Sequence, residues 1–165
     1  MKTMTQKIIF SSMLAALVCV VTMVIKIPSP LSGYLNPGDC IVLLSGWLMP
    51  PLYGFLAAAV GSALADIFSG YMLYAPVTFL IKGIMALLAS LGYSLLRKKA
   101  GSTVSHVLSG ITAELFMILG YFAFEGILYG FAAVAMNIPM NALQGAVGLV
   151  LGILLTGIFR KHKIL

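Results

Sequence analysis

Six long apolar segments constrain the fold of this chain more than any other feature of its sequence. They run at about 5 to 26, 39 to 50, 52 to 69, 75 to 96, 104 to 126 and 140 to 159. Each has the length of a membrane-spanning helix, or of the shorter tilted or broken kind. The sequence therefore predicts an all-α integral membrane protein, in which six transmembrane helices form a single membrane domain over residues 1–165.

Composition and missing motifs exclude several other classes of protein. The chain is 61% hydrophobic and 8% charged, which is outside the range of soluble domains. Its net charge of +6 lies in short terminal and loop clusters, so nucleic-acid binding is not expected. No Gly-x-x-x-x-Gly-Lys-Ser/Thr loop, His-Glu-x-x-His or Cys-x-x-Cys motif occurs. We expect no metal site, no cofactor and no ATP binding by that loop.

The placement of basic residues predicts the orientation in the cell membrane. Lys7 precedes the first span together with Lys2, residues 97–99 follow the fourth, and a third cluster from 160 to 163 follows the sixth. With six spans all three clusters fall on one side, and short cytoplasmic loops are enriched in Lys and Arg. Both termini are then cytoplasmic. The loops near 27 to 38, 69 to 75 and 127 to 139 face outward, and their tyrosines either cap a pocket or form an interfacial belt.

All four acidic residues and one lysine lie inside or at the rim of the apolar segments: Asp39, Asp66, Glu114, Glu125 and Lys82. A charge at the centre of a bilayer costs roughly 2.5 to 3.5 kcal/mol on insertion scales, so such residues often mark a ligand site or a pathway. Counting about 1.5 Å of helix rise per residue places Asp39, Asp66 and Lys82 in the outer half. The same count places Glu114 near the midplane and Glu125 at a solvated rim.

The sequence leaves two roles open for most of these residues. Asp39 either caps the second helix or contacts a ligand. Asp66 and Lys82 either neutralise each other as an ion pair, or Lys82 is directed at a ligand. Glu114 needs a partner, for which Lys82 is a candidate by depth, or it relays protons. The side-chain amides of Asn141 and Gln144 lie about one turn apart. They either hydrogen-bond to the edge of a polar heterocycle, which we favour, or hold two helices together.

The first segment carries two overlapping pairs of small residues four apart, Ser11 with Ala15 and Ser12 with Ala16. Such spacing lets helix backbones approach closely. This face either packs within the bundle or docks another membrane protein.

The ordered motifs resemble those of one transporter family. They are Asn-Pro-Gly-Asp at 36–39, Gly-Ser-Ala-Leu-Ala-Asp at 61–66, Tyr-Ala-Pro at 74–76, Lys-Gly at 82–83 and Asn-x-x-Gln at 141–144. Together they are similar to the substrate-binding S components of energy-coupling factor (ECF) transporters. The resemblance implies a six-helix fold that binds a vitamin-like substrate in its outer half, under the first, third and fifth loops. It also implies docking to a transmembrane T component and two cytoplasmic ATPases, with substrate delivered by toppling of the S component.

The resemblance completes the set of predicted site residues. The expected substrate-binding residues are Asn36, Asp39, Asp66, Tyr74, Lys82, Glu114, Tyr121, Asn141 and Gln144, and the expected docking residues are Ser11, Ser12, Ala15 and Ala16. The chain looks closest to the branch for hydroxymethylpyrimidine or vitamin B6, with riboflavin and pantothenate as alternatives. We expect a transport subunit and not an enzyme. The rival classes are a stand-alone proton-coupled secondary transporter that uses Glu114 and a membrane-embedded enzyme.

Overall fold

The computed structural model of the protein describes residues 3–28 and 34–161, so Lys2, loop residues 29–33 and Lys163 lie outside the described part. Helices dominate it. They are α1 (Met4–Val24), α2 (Asp39–Leu48), α3 (Pro51–Phe68), α4 (Ala75–Ala100), α5 (Ser102–Tyr129), α6 (Phe131–Val134) and α7 (Ile138–Lys161), with a 3-10 turn at Ala135–Asn137 before α7. Strands β1 (Ile27–Pro28) and β2 (Tyr34–Leu35) pair antiparallel between α1 and α2, with Ile27 opposite Leu35.

Five helical stretches of the described chain are long and apolar enough to cross a membrane: α1, α3, α4, α5 and the stretch Phe131–Phe159. Helix α2 is shorter, and nine of its ten residues are buried. It is surrounded by protein because it contacts α1, α3, α4 and α7. Helix α2 is therefore the central element around which the longer helices pack, and Leu43, Leu44 and Trp47 place it in the hydrophobic core.

Proline and glycine set the helix boundaries. Proline stands in the first turn of both α3 and α4, where the missing N–H costs nothing. Gly101 and Gly130 have φ of 76° and 88°, a left-handed conformation that glycine adopts without strain. Gly101 separates α4 from α5, and Gly130 separates α5 from α6. The second break starts a short return of the chain over the end of α5.

Helix α1 packs on α3 through one of its two small-residue pairs. The Ser11 hydroxyl donates to the Tyr53 carbonyl of α3 at 2.9 Å, and Gly61 of α3 lies so close to Ala15 that a Cβ there would meet the Ala15 carbonyl. Ser11 and Ala15 thus serve contact within the bundle, one of the two roles expected for this face. Ser12 and Ala16 are exposed, so docking stays a prediction for that second pair.

Candidate functional site

A polar cavity lies at the end of the bundle formed by the α1–α2, α3–α4 and α5–α7 connections. It is lined by Thr22, Tyr34, Leu35, Asn36, Ser62, Asp66, Tyr71, Tyr74, Thr78, Lys82, Tyr121, Glu125, Asn141 and Gln144. Seven of the nine expected substrate-binding residues line it, and the other two, Asp39 and Glu114, do not.

A buried ion pair closes the inner side of the cavity. The Lys82 ammonium of α4 bonds to Asp39 Oδ1 at the start of α2, and both side chains are buried. Asp39 Oδ2 accepts a hydrogen bond of 2.6 Å from the Gln144 amide of α7. Both carboxylate oxygens are thus occupied, and the network joins α2, α4 and α7. A buried carboxylate needs this much compensation because its ionised form is costly away from water.

This network bears on two alternatives that the sequence left open. Lys82 pairs with Asp39, so the Asp66–Lys82 ion pair, one of the two roles considered for these residues, does not form in the described part of the chain. Asp39 is not the cap of α2 either, because Gly38 holds the N-cap position and no side chain caps it. The Asp39 carboxylate lies in the first turn of α2 but is turned toward Lys82 and Gln144.

Gln144 also fixes the chain that precedes α2. Its Oε1 accepts a hydrogen bond of 3.0 Å from the Asn36 backbone N–H, while Asn36 Oδ1 accepts one of 2.9 Å from the Gly38 N–H. Both ends of the Gln144 amide are therefore used within the protein. The Asn141 side chain, one turn earlier, lines the cavity and makes no hydrogen bond among the described residues. Of the two predicted amides, Asn141 is the one available to a ligand.

Asp66 occupies the side of the cavity next to β2. Its Oδ1 accepts a hydrogen bond of 2.8 Å from the Tyr34 hydroxyl, and its buried Oδ2 has no partner among the described residues. Burial and the Asp66 carboxylate raise the pKa of Tyr34 well above its usual value, so the phenol stays protonated and donates. The Tyr34 ring packs against Tyr71 with a centroid separation of 4.9 Å.

The opposite side is built by α4, α5 and the segment after α5. Glu125 accepts hydrogen bonds from the Asn137 amide at 2.8 Å and from the Tyr74 hydroxyl at 3.5 Å. Glu125 is only 4% exposed, so the expectation of a solvated rim residue is wrong. The physical reason is the return of the chain through α6 and the 3-10 turn, which brings Asn137 over the end of α5. The Thr78 and Tyr121 hydroxyls form a further hydrogen bond of 3.1 Å.

Glu114 lies beneath the cavity and outside its lining. Neither carboxylate oxygen has a hydrogen-bond partner among the described residues, so Lys82 is not its bonded partner. The side chain packs on the glycine face of α7, where a Cβ on Gly145 would lie 3.0 Å from Oε2 and one on Gly148 would lie 3.2 Å from Oε1. The described residues contain no group of three or more His, Cys, Asp or Glu side chains able to hold a metal ion.

The arrangement suits a flat ligand with polar edges. Four tyrosines, Tyr34, Tyr71, Tyr74 and Tyr121, present rings and hydroxyls, and aromatic rings stack favourably on other π systems. The set of substrate-binding residues predicted from the sequence did not include six polar lining residues: Thr22, Ser62, Thr78, Tyr34, Tyr71 and Glu125. The loop position and polarity of the tyrosines already indicated a pocket, whereas single hydroxyls such as Thr22 in an apolar helix carry no such signal.

Known proteins resemble this chain over nearly its whole length. A model of the family described as ECF-type riboflavin transporter, S component, matches residues 2–161. An uncharacterized protein of Pyrococcus woesei, described by its place in a gap 3′ region, is 35% identical over 137 residues, 82% of this chain and 88% of that protein. A solved S component of a bacterial ECF transporter has a TM-score of 0.77 at 26% identity and covers 97% of this chain and 98% of its own. The helical fold is therefore shared with that S component.

Proposed function

The chain belongs to the family of S components of ECF-type riboflavin transporters, and from this premise we propose that it is the high-affinity substrate-binding membrane subunit of an ATP-driven vitamin importer. The cavity is the observation that carries the proposal. Its lining brings together four tyrosines, two carboxyl side chains and the Asn141 amide, which makes no hydrogen bond among the described residues. Convergent aromatic and polar groups of this kind are typical of a site that binds a small molecule.

Riboflavin is the first ligand to test. The family description names it, and its flat ring system with hydroxyl groups suits the tyrosine rings and polar walls. The expectation of hydroxymethylpyrimidine or vitamin B6 is not supported by the family match, whose name fits the alternative that the sequence left open. Direct contacts are proposed for the lining residues Asp66, Tyr74, Tyr121 and Asn141, with Asn36, Lys82 and Gln144 also exposed to the ligand.

The energy source and orientation are parts of the same proposal. A T component and two cytoplasmic ATPases would supply the energy, since the sequence has no nucleotide-binding loop of the Walker type. We place the protein in the cytoplasmic membrane with six crossings and both termini inside. The cationic last turn of α4, Arg97–Lys99, lies at the end of α4 away from the cavity, so the rule of positive cytoplasmic loops turns the cavity outward.

One observation favours a second candidate, a proton-coupled secondary transporter. Glu114 is a buried carboxylate whose oxygens have no partner among the described residues, and such residues serve as proton carriers in some transporters. Its position outside the cavity lining argues for the S-component function, because a carboxylate that couples proton movement to transport should contact the substrate directly.

Two measurements test the proposal. Mass spectrometry of the small molecule that copurifies with the protein should identify an unaltered vitamin, and titration of riboflavin into purified protein should give saturable, tight binding. Chemically altered ligand would indicate an enzyme. Uptake should then require the T component and ATPases, so accumulation driven by a proton gradient in cells that lack them would favour the secondary transporter.

A further inference from the structure

We propose that the basic end of the bundle holds a second binding site, which takes the phosphate headgroup of an anionic membrane phospholipid. The site is a cavity around Arg97, lined by two residues from each of α2, α4, α5 and α7. Among the described residues this Arg97 cavity shares none with the substrate cavity. It goes beyond the proposed function, because it concerns a different ligand at the other end of the molecule.

The Arg97 cavity lies where the helices leave the apolar layer. Arg97 follows Lys82 of the substrate cavity by 15 residues on α4, which is roughly 22 Å along the helix axis. The apolar part of α4 ends just before Arg97, and Arg97–Lys99 form its last turn. The cavity is therefore at the level where a membrane-spanning helix reaches the lipid headgroups. In the orientation proposed above, these are the headgroups of the cytoplasmic leaflet.

Aromatic side chains give the Arg97 cavity a defined wall. The His106 imidazole of α5 stacks on the Tyr93 ring at a centroid separation of 4.3 Å and meets the Trp47 ring edge-on at 4.8 Å. His106 and Trp47 are only 6% and 8% exposed, and the Trp47 N–H donates to the Ser109 hydroxyl at 3.0 Å. The Tyr93 hydroxyl is hydrogen-bonded to that of Ser102 at 3.2 Å. The wall thus consists of side chains that other contacts hold in place.

Arg97 supplies a positive charge that no acidic side chain compensates. It forms no ion pair among the described residues. The chain has four acidic residues, and none of them lines this cavity in the described part of the chain. The nearest along α5 is Glu114, twelve residues beyond Ser102, which is roughly 18 Å. Lys98 and Lys99 in the same turn of α4 add further positive charge, so an anion that enters the cavity is attracted from every side.

The ligand that these groups fit is a phosphate. The guanidinium of an arginine binds phosphate through two parallel N–H donors, and Arg97 is the residue of the cavity that can do so. Ser102 begins α5 and lines the same cavity. The N-cap of α5 is Gly101, and no described side chain caps the helix. The first N–H groups of a helix carry partial positive charge and bind anions, so they add to the attraction of Arg97.

The apolar part of the lining favours a lipid over free phosphate. Leu48 of α2 and Phe159 of α7 line the cavity beside the polar groups, and both are partly exposed. Inorganic phosphate would leave this apolar surface in water, whereas the glycerol and first acyl carbons of a phospholipid would cover it. Basic pockets between membrane helices on the cytoplasmic side are typical sites for anionic headgroups. A bound lipid would contact four helices at once and should stabilise the bundle.

The test measures lipid binding to the purified full chain in a neutral detergent by native mass spectrometry, with thermal unfolding as a second readout. The probes are phosphatidylglycerol, phosphatidylcholine with the same acyl chains, and inorganic phosphate. We expect phosphatidylglycerol to bind at least about tenfold more tightly than either of the others and to raise the unfolding temperature. Phosphatidylcholine should bind weakly because its choline cation would face the lysines of the last turn of α4.

Two variants separate a site from general attraction to a basic surface. Arg97→Gln should lower the affinity for phosphatidylglycerol by at least about tenfold. Lys99→Gln is the matched control, because it removes the same charge from the same helical turn without touching the lining, and it should change the affinity by less than about threefold. Both side chains are exposed, so without lipid both variants should unfold at the temperature of the unaltered protein.

Three results would overturn the inference. Equal loss of affinity in Arg97→Gln and Lys99→Gln would show diffuse attraction without a site. Equal affinity for the two lipids would show that anionic charge is not recognised, and inorganic phosphate that binds as tightly as phosphatidylglycerol would assign the cavity to a free anion. None of these measurements involves the vitamin, so their outcome is independent of the proposed substrate.

Discussion

Lys82 compensates the charge of Asp39 from within the bundle, so removing either partner alone should destabilise the protein. Lys82→Met or Asp39→Asn should each cost about 3 to 5 kcal/mol of unfolding free energy, because each leaves the other charge buried and unpaired. The double variant should be more stable than either single one. Thermal unfolding in detergent measures all three, and additive losses in the double variant would show that the two side chains do not act as a pair. Where Lys82→Ala still folds, ligand affinity should fall at least tenfold, about 1.4 kcal/mol.

Asn141 should behave differently, because its amide faces the cavity without a hydrogen bond among the described residues. Asn141→Ala should weaken ligand binding by at least about tenfold and leave the unfolding temperature nearly unchanged. Gln144→Ala is the contrasting variant, since it removes bonds to both Asp39 and Asn36 and should lower stability together with affinity. Unchanged affinity in a folded Asn141→Ala variant would remove this residue from the site.

Which carboxylate pairs with Lys82 could not be predicted from the sequence. Helix rise gives the depth of a residue but not its direction around the bundle, and Asp39 and Asp66 have similar depths. The choice is made by α2, which is enclosed by the longer helices and turns Asp39 toward Lys82 and Gln144. Glu125 shows the same limit, because its burial depends on Asn137, which reaches it through a return of the chain that hydropathy does not reveal.

At the scale of the element, the glycine face of α7 allows its close approach to α2 and α5. A Cβ on Gly148 would lie 2.7 Å from the Asp39 Cβ, whereas one on Gly157 would meet nothing within 4 Å. Gly148→Ala should therefore destabilise the protein by about 1 to 3 kcal/mol through overpacking and weaken ligand binding through the displaced Asp39. Gly157→Ala is the matched control and should be neutral or stabilise the helix by up to about 1 kcal/mol. Equal unfolding temperatures for the two variants would contradict this account of the interface.

Several helix boundaries follow from local chemistry that is visible in the sequence. Prolines at the starts of α3 and α4 and the glycine between α4 and α5 act within one turn of the chain, so the sequence suffices to locate them. The burial of α2 is a different matter. Its apolar composition fits a short membrane segment as well as a helix enclosed by protein, and tertiary packing alone distinguishes the two.

For the whole molecule, the two small-residue pairs of α1 should separate folding from partner docking. Ala15 faces α3 beside Gly61, whereas Ala16 is exposed. Ala16→Trp should leave ligand binding intact and abolish uptake, because the bulky ring would block the proposed T component from approaching α1. Ala15→Trp should lower stability and binding as well as uptake, since the ring has no room against α3. Full uptake by a folded Ala16→Trp variant would place the docking surface elsewhere on the molecule.

The hydrogen bond between Tyr34 and Asp66 has a kinetic consequence. Tyr34 belongs to β2, which lines the cavity. Its hydroxyl donates to Oδ1 of Asp66, a residue proposed to contact the ligand, while Oδ2 has no hydrogen-bond partner among the described residues. A ligand donor that reaches Oδ2 would bind the same carboxyl group as Tyr34, through its other oxygen. Tyr34→Phe would release β2 from Asp66 and leave Oδ2 to the ligand, so it should speed both association and dissociation of the ligand. Rapid-mixing measurements would show this faster exchange even where the equilibrium affinity barely changes.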